Sequence, residues 1–193
     1  IETFVQSNYV DKVRSIFNGR YREDVNILSV DLGVHHLRDP FAGYMIVETD
    51  LVVEPIGWDT ILDVGDRSRS FWVTRSKYSV ALTGGALLAD SDERVIDLVY
   101  RPQYDPACEG WQKLLGILYV GSAEVAADMS IRRKEMEKTI SKYYMMPWVE
   151  NLTQLPCVAR DLGDVYAVSY NDMAAYRSAD EEYTRIMKVR GDF

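Results

Sequence analysis

The spacing of apolar residues changes character along this chain. From Trp111 onward, Leu114, Leu115, Leu118, Ser122, Val125, Met129, Met136, Ile140 and Tyr143 recur three and four positions apart. That is the stripe of one buried helix face. The opposite face carries Glu124, Asp128, Arg132, Lys134, Glu135, Lys138 and Lys142. The pattern predicts one long helix over residues 107–144, roughly 57 Å at 1.5 Å per residue, with Gly121 as the place where it kinks or breaks. Pro147 and Pro156 bracket an elbow at MMPWVENLTQLP, because a proline lacks the N–H and clashes with the preceding turn. Beyond it, Val158, Leu162, Val165, Tyr166 and Val168 predict a second helix that returns along the first.

Upstream, Phe4, Val5, Tyr9, Val13, Ile16 and Phe17 share a helical face over residues 2–18, and Gly19 supplies a stop. Between Val25 and Tyr104 the spacing becomes strand-like. NILSVDL, AGYMIVETDLVVEP, RSFWVTRSKYSVALT, GALLAD and RVIDLVYR are rich in Val, Ile, Tyr, Phe and Trp. GWDTILDVGDRS, TGG and DSDER supply turns between them. No convincing helix separates these strands, so antiparallel pairing in a small meander or half-barrel is expected. At the tail, Ser178 caps a short helix with acids in its first turn and Tyr183, Ile186 and Met187 on its apolar side. The expected fold class is α+β. Residues 1–24 and 105–193 form a helical bundle, and residues 25–104 form an inserted antiparallel β-rich lobe.

A length of 193 residues suits one domain, with or without an inserted lobe. No run is long enough to cross a bilayer and nothing resembles a signal peptide, so a soluble, non-secreted protein is the default. Cys108 and Cys157 lack metal-ligand spacing and read as reduced, buried residues. The net charge is −8, and residues 25–104 carry 12 acids against 7 bases. An acidic chain without a basic stripe argues against a tight nucleic-acid binder.

Candidate chemistry is sparse. In ILSVDLGVHHLRDP, an apolar strand ending at Asp31 has the form of a metal-binding carboxylate strand of a nuclease. That reading needs further acids at the ends of later strands, on a sheet interleaved with helices. Acids are present at Glu48, Asp50, Glu54, Asp59 and Asp63, but crossover helices are not expected. His35 and His36, if on a strand, point to opposite faces and cannot share one metal. TGG at 83–85 and VGDRSRS at 64–70 lack the spacing of a phosphate cradle. The short basic clusters at Arg67–Arg69 and Arg132–Lys134 read as solvated faces, and the 13 tyrosines as packing and interface residues. The balance favours a structural or interaction protein over an enzyme, with no cofactor and no metal site.

The C-terminal third resembles the head-completion, or head–tail connector, proteins of tailed phages, in the Mu-type connector family. The residues that carry the resemblance are ISKYYMMP (Ile140, Tyr143, Tyr144, Pro147), LPCVARDLGDVYAVSY (Pro156, Asp161, Leu162, Tyr166, Tyr170) and ADEEYTRIM (Glu181, Glu182, Tyr183, Ile186). Gly163 stands where that family usually has alanine, and the β-rich stretch is an addition to it. The resemblance implies a virion protein of the neck, assembled in the host cytoplasm. It would form a homo-oligomeric ring of about twelve copies below the portal, joined to the tail or a next neck protein. DNA would pass through an acidic lumen without specific binding, and no membrane would be involved. Tyr176, Tyr183, Ile186, Met187, Val189 and Phe193 are the expected contacts with the portal or a neighbour. The alternatives are another phage structural protein, such as a tail terminator or capsid-associated protein, and a metal-dependent nuclease built on Asp31.

Overall fold

A computed structural model describes residue 7 and residues 12–190. Its centre is a strand where the sequence predicts a helix. In chain order the elements are α1 (Ile27–His35), β1 (Tyr44–Val47), β2 (Leu51–Val53), α2 (Pro55–Leu62), β3 (Ser70–Lys77), β4 (Gly84–Ala89), β5 (Val95–Arg101) and β6 (Gln112–Val120). They continue as α3 (Val125–Lys138), α4 (Met146–Glu150), β7 (Cys157–Asp161), β8 (Ala167–Ser169) and α5 (Met173–Arg190). The main sheet runs β5-β4-β6-β3-β7, with β1 also paired to β6. All its pairs are antiparallel except β3 with β7. β2 and β8 form a separate two-stranded ribbon.

The expected helix over 107–144 fails because β6 is buried on both faces. Leu114, Leu118 and Val120 join Trp72, Leu87 and Leu98 in one core. Leu115, Ile117 and Tyr119 join Phe71, Val73 and Ile61 in the other. A strand covered on both sides reads as an unbroken apolar run, and such a run carries no period that separates it from a helix. Gly121, the expected kink, is where strand gives way to α3. Its Cα lies so close to the backbone of Ser68 and Arg69 that any Cβ would overlap them.

The fold is therefore a mixed, sheet-centred α/β fold, not a helical bundle carrying a β lobe. Strands from 25–104 and from 105–193 interleave in one sheet. The expected return helix after Pro156 is β7 followed by β8. NILSVDL is not a strand but contributes to α1, and GWDTIL is not a turn but part of α2. Of the expected helix at 2–18, residues 1–6 and 8–11 lie outside the described residues, and 13–18 adopt no regular structure. The tail helix starts at Met173, before Ser178. Asp172 caps it, its Oδ1 accepting from the N–H groups of Ala174 (2.9 Å) and Ala175 (2.8 Å). Of the other expected strands, AGYMIVETDLVVEP is divided into β1 and β2 and ends in α2, RSFWVTRSKYSVALT is strand only as far as Lys77 in β3, and GALLAD and RVIDLVYR correspond to β4 and β5. Cys108 and Cys157 are free and buried.

One polar cluster ties α3 to the sheet. Asp128, fully buried, accepts hydrogen bonds from the Tyr44 hydroxyl of β1, from Arg132 one turn along α3, and from Trp148 Nε1 of α4 at 2.8 Å. Arg132 is also buried, and two of its nitrogens have no partner among the described residues. Removing one member of a buried pair leaves the other charge uncompensated, which costs about 3–5 kcal/mol. Asp128→Ala is expected to lose that much in denaturant unfolding, and Trp148→Phe, which forfeits one hydrogen bond, about 1–2 kcal/mol. A loss below about 1 kcal/mol for Asp128→Ala would show that the pair is not a structural tie.

Candidate functional site

Strand β6 changes partner partway along one edge. Its C-terminal residues pair with β1, from Ile117 opposite Val47 to Val120 opposite Tyr44. Its first residues pair with β4, Gln112 opposite Leu87 and Lys113 opposite Ala86. The end of β1 and the start of β4 thus meet head-on, and a cleft of about 840 Å³ opens at this fork. Asn26 and Ser29 at the start of α1 form one wall, and Thr83–Gly85 with Tyr100 form another. Glu48 and Asp50 follow β1 into the cleft, Lys113 rises from β6, and Tyr143, Tyr144, Ser169 and Asn171 complete the lining.

The backbone fixes the two carboxylates. The Glu48 N–H donates to the Gly116 carbonyl at 3.0 Å, and the Tyr170 N–H donates to the Asp50 carbonyl at 2.9 Å. The Glu48 side chain lies over Gly116, whose φ is +82°, and a Cβ at Gly116 would overlap the carboxylate. Only glycine gives both that backbone and that space. The Tyr143 hydroxyl donates to Glu48 Oε1. Burial raises the Glu48 pKa and the Asp50 charge adds to the rise, while the Tyr143 hydrogen bond opposes it. Burial likewise pushes the Tyr143 hydroxyl up.

Lys113 Nζ donates to the Leu114 carbonyl at 2.9 Å and forms no salt bridge among the described residues. Burial pushes its pKa below that of an ordinary lysine, against the attraction of Glu48. An aromatic run backs the cleft. Tyr100 and Tyr143 have ring centroids 4.9 Å apart, Tyr143 and Tyr144 5.1 Å, and Tyr144 and Trp72 6.1 Å. The Tyr144 N–H donates to Asn26 Oδ1 at 2.6 Å, joining this run to α1.

No group of three or more His, Cys, Asp or Glu residues is placed to hold a metal among the described residues. Two carboxylates suffice only for a cation whose remaining ligands are water or substrate oxygens, the usual mode of Mg²⁺. The residues expected to matter lie elsewhere. Asp31 sits on a helix and pairs with His35 at 3.3 Å, so the nuclease arrangement is absent. Tyr176 meets Tyr170 edge-on, Tyr183 packs tilted against Tyr166, Met187 is buried, Ile186 is half-buried, and Val189 is exposed. Phe193 lies outside the described residues. None of the five described residues lines the cleft. The residues that do were visible in one respect: Glu48 and Asp50 form an acid-x-acid step directly after the strand YMIV, and Lys113 is one charge inside an apolar strand.

No protein-family model matches this sequence, and no curated protein matches it. Solved structures share its fold. CTP:phosphocholine cytidylyltransferase from Streptococcus pneumoniae aligns over 94% of this chain and 72% of its own, with a TM-score of 0.74 at 16% identity. The inositol-1-phosphate CTP transferase from T. maritima aligns over 93% and 69%, with a TM-score of 0.69 at 9% identity. UDP-glucose pyrophosphorylase aligns over 84% and 63%, with a TM-score of 0.64 at 10% identity. The chain thus has the fold of these nucleotidyltransferases. That likeness overturns the resemblance to phage connectors, and with it the reading as a non-enzymatic protein of a virion neck: the structural neighbours are transferases, not particle components. No helix among the described residues is long and apolar enough to cross a membrane.

The raised pKa of Glu48 has a stability consequence of definite sign. Between the ordinary glutamate value and the raised one, the folded state holds a proton that the unfolded state has lost, so stability falls as pH rises through that window. Glu48→Gln, which cannot ionise, is expected to melt higher than the native chain at pH 7 by roughly 1–3 °C, the scale suited to a partly solvated group. The advantage should vanish below about pH 4, where both chains carry a neutral side chain. A lower melting temperature at pH 7 would contradict this.

Proposed function

We propose that this chain is a nucleotidyltransferase. It joins the nucleoside monophosphate part of a nucleoside triphosphate to the phosphate of a small phosphomonoester. An oxygen of the phosphomonoester forms a bond to the α-phosphorus, the bond from that phosphorus to the oxygen bridging to the β-phosphate breaks, and pyrophosphate leaves with the bonding electrons. The fold supports this reading, since the solved structures that share it are named as cytidylyl- or nucleotide-transferring enzymes. The observation that carries it to a site is the pair Glu48 and Asp50, held at the end of β1 in the fork of that fold, with Lys113, which has no salt bridge among the described residues, in the same lining.

The residues have separable tasks. Glu48 and Asp50 would hold a divalent cation together with the triphosphate, and such a cation supplies charge neutralisation on the reacting phosphates. Tyr143 fixes the Glu48 carboxylate, and Gly116 leaves it room. Gly84 at the start of β4 allows a ligand to approach the backbone closely.

The test is pyrophosphate release by the full chain in Mg²⁺, across the common nucleoside triphosphates and a panel of phosphorylated alcohols and sugars. Release that requires both substrates is expected, and Asp50→Ala should lower kcat/KM by about 10²–10³, as loss of one group acting on developing charge does. No release with any pair, or native rates in Asp50→Ala, would overturn the reading.

A further inference from the structure

The segment between α3 and α4, residues 139–145, is neither helix nor strand, yet it carries the tyrosine that holds Glu48. Its backbone ties to the approach to α1 are long: the Val25 N–H donates to the Ile140 carbonyl at 3.4 Å and the Ile27 N–H to the Lys142 carbonyl at 3.3 Å. Bonds of that length lie outside the usual range and restrain little. The firm ties are made by side chains. Asn26 Oδ1 accepts from the Tyr144 N–H at 2.6 Å. Lys142 Nζ donates to Glu135 Oε2 of α3 at 2.5 Å and to Glu150 Oε2 of α4 at 2.7 Å. The Lys142 side chain is 17% exposed and that of Glu135 9%. An ion pair in open water holds little in place, whereas an ammonium mostly withdrawn from water and shared by carboxylates of two helices is held where both can reach it. The hydrophobic pattern of the sequence puts Lys142 on a solvated helix face; the structure makes it the junction of α1, α3 and α4.

Lys142 is not in the lining of the cleft, but its neighbour Tyr143 is. Tyr143 donates to Glu48 Oε1 and packs against Tyr100 with ring centroids 4.9 Å apart. We propose that Lys142 is a positioning residue for the cation: by pinning the segment to α3 and α4 it sets where the Tyr143 hydroxyl, and with it the Glu48 carboxylate, stands. This rests on Glu48 as a cation-holding group in the transferase reading above and goes beyond it, since the residue it adds touches neither substrate nor cation. A partner that orients a ligating carboxylate matters by about 10–100-fold in metal affinity. Tyr143 is such a partner. Lys142 acts one step behind it, so its effect is smaller and has to pass through the Tyr143 hydroxyl.

The test is titration of the full chain with Mn²⁺ alone, a paramagnetic stand-in for Mg²⁺, read by the relaxation of water protons. The native chain is compared with Glu48→Gln, Tyr143→Phe, Lys142→Met, Lys142→Arg and the double variant Lys142→Met/Tyr143→Phe. In Lys142→Met, Glu135 keeps its hydrogen bond from Lys138 at 2.7 Å, so a folded protein is expected and is checked by its melting temperature. Mn²⁺ should bind the native chain, bind Tyr143→Phe about 10-fold more weakly and Lys142→Met about 3–10-fold more weakly, and recover in part with Lys142→Arg. The double variant should bind no more weakly than Tyr143→Phe, because a step already removed cannot be lost twice. Losses that multiply in the double variant would overturn the proposal, as would native affinity in Lys142→Met, which would leave Lys142 a purely structural tie. So would a native chain that binds no Mn²⁺, or binds it no better than Glu48→Gln does. Lysine-dependent Mn²⁺ binding in a chain that releases no pyrophosphate with any substrate pair would sink the transferase reading while leaving the positioning role in place.

Discussion

Strand β6 has to bury two faces and pair two edges at once. Its faces are covered by the two cores, one built around Trp72 and Trp148 and the other around Phe71 and Ile61. One edge is paired with β3. The other edge cannot be served by a single strand, because β1 ends at Val47 and β4 begins at Gly84. A buried backbone group left without a partner is costly, and the chain meets that constraint by carrying the ladder one residue past β1, from Glu48 N–H to the Gly116 carbonyl. The fork is the consequence. The interruption opens the cleft and puts both Glu48 and Lys113 in its lining.

The fork keeps its shape because its walls are tied behind it. Tyr44 at the start of β1 and Trp148 of α4 both donate to Asp128 on α3. Trp148 meets Trp72 edge-on, with ring centroids 6.2 Å apart, and Trp72 in turn packs on Tyr144. The segment carrying Tyr143 and Tyr144 is therefore held from the same buried carboxylate that holds β1. A hydrogen-bonded buried ion pair is a weak source of net stability but a strong source of specificity of arrangement in some folds. Its place here, between the strand that carries the acids and the loop that carries the tyrosines, fits the second role. On the far side, buried Glu54 performs a similar service. It accepts from the Tyr166 N–H at 2.6 Å and from Arg190, anchoring the end of α5 to the β2–β8 ribbon.

The sequence was most legible where turn residues bound short strands. TGG and DSDER isolate GALLA and RVIDLVYR, and β4 and β5 fall there. It was least legible where burial removed the alternation on which strand reading depends. Leu114, Leu115, Leu118 and Val125 can be threaded on a helical stripe, but β6 uses the first three on both faces and α3 only the last. Strand β7 hid for a different reason. It is five residues long and pairs in parallel with β3, so no hairpin turn announces it. Its Arg160 also looks out of place in a strand until the guanidinium is found 3.8 Å above the Phe71 ring, donating to the Asp63 carbonyl at 2.7 Å. The site was partly written in Glu48 and Asp50. What converts two acids among thirty into a candidate site is the fork, and cleft residues 65 positions apart along the chain, such as Glu48 and Lys113, leave no local signal.

Net charge bears on the outer surface and not on the cleft. A value of −8 argues against a surface that holds a polyanion, and for a long duplex that argument is sound. It does not reach into a cleft. Exposed charges farther away than about 8–10 Å are largely screened at ordinary ionic strength, whereas groups lining a cleft are screened less. The field that a phosphate meets in the fork is set by Glu48, Asp50 and Lys113, not by the acids on α5. Under the proposed transferase reading, two carboxylates there would repel a bare triphosphate and accept one that brings a cation, so that nucleotide and cation enter as a unit.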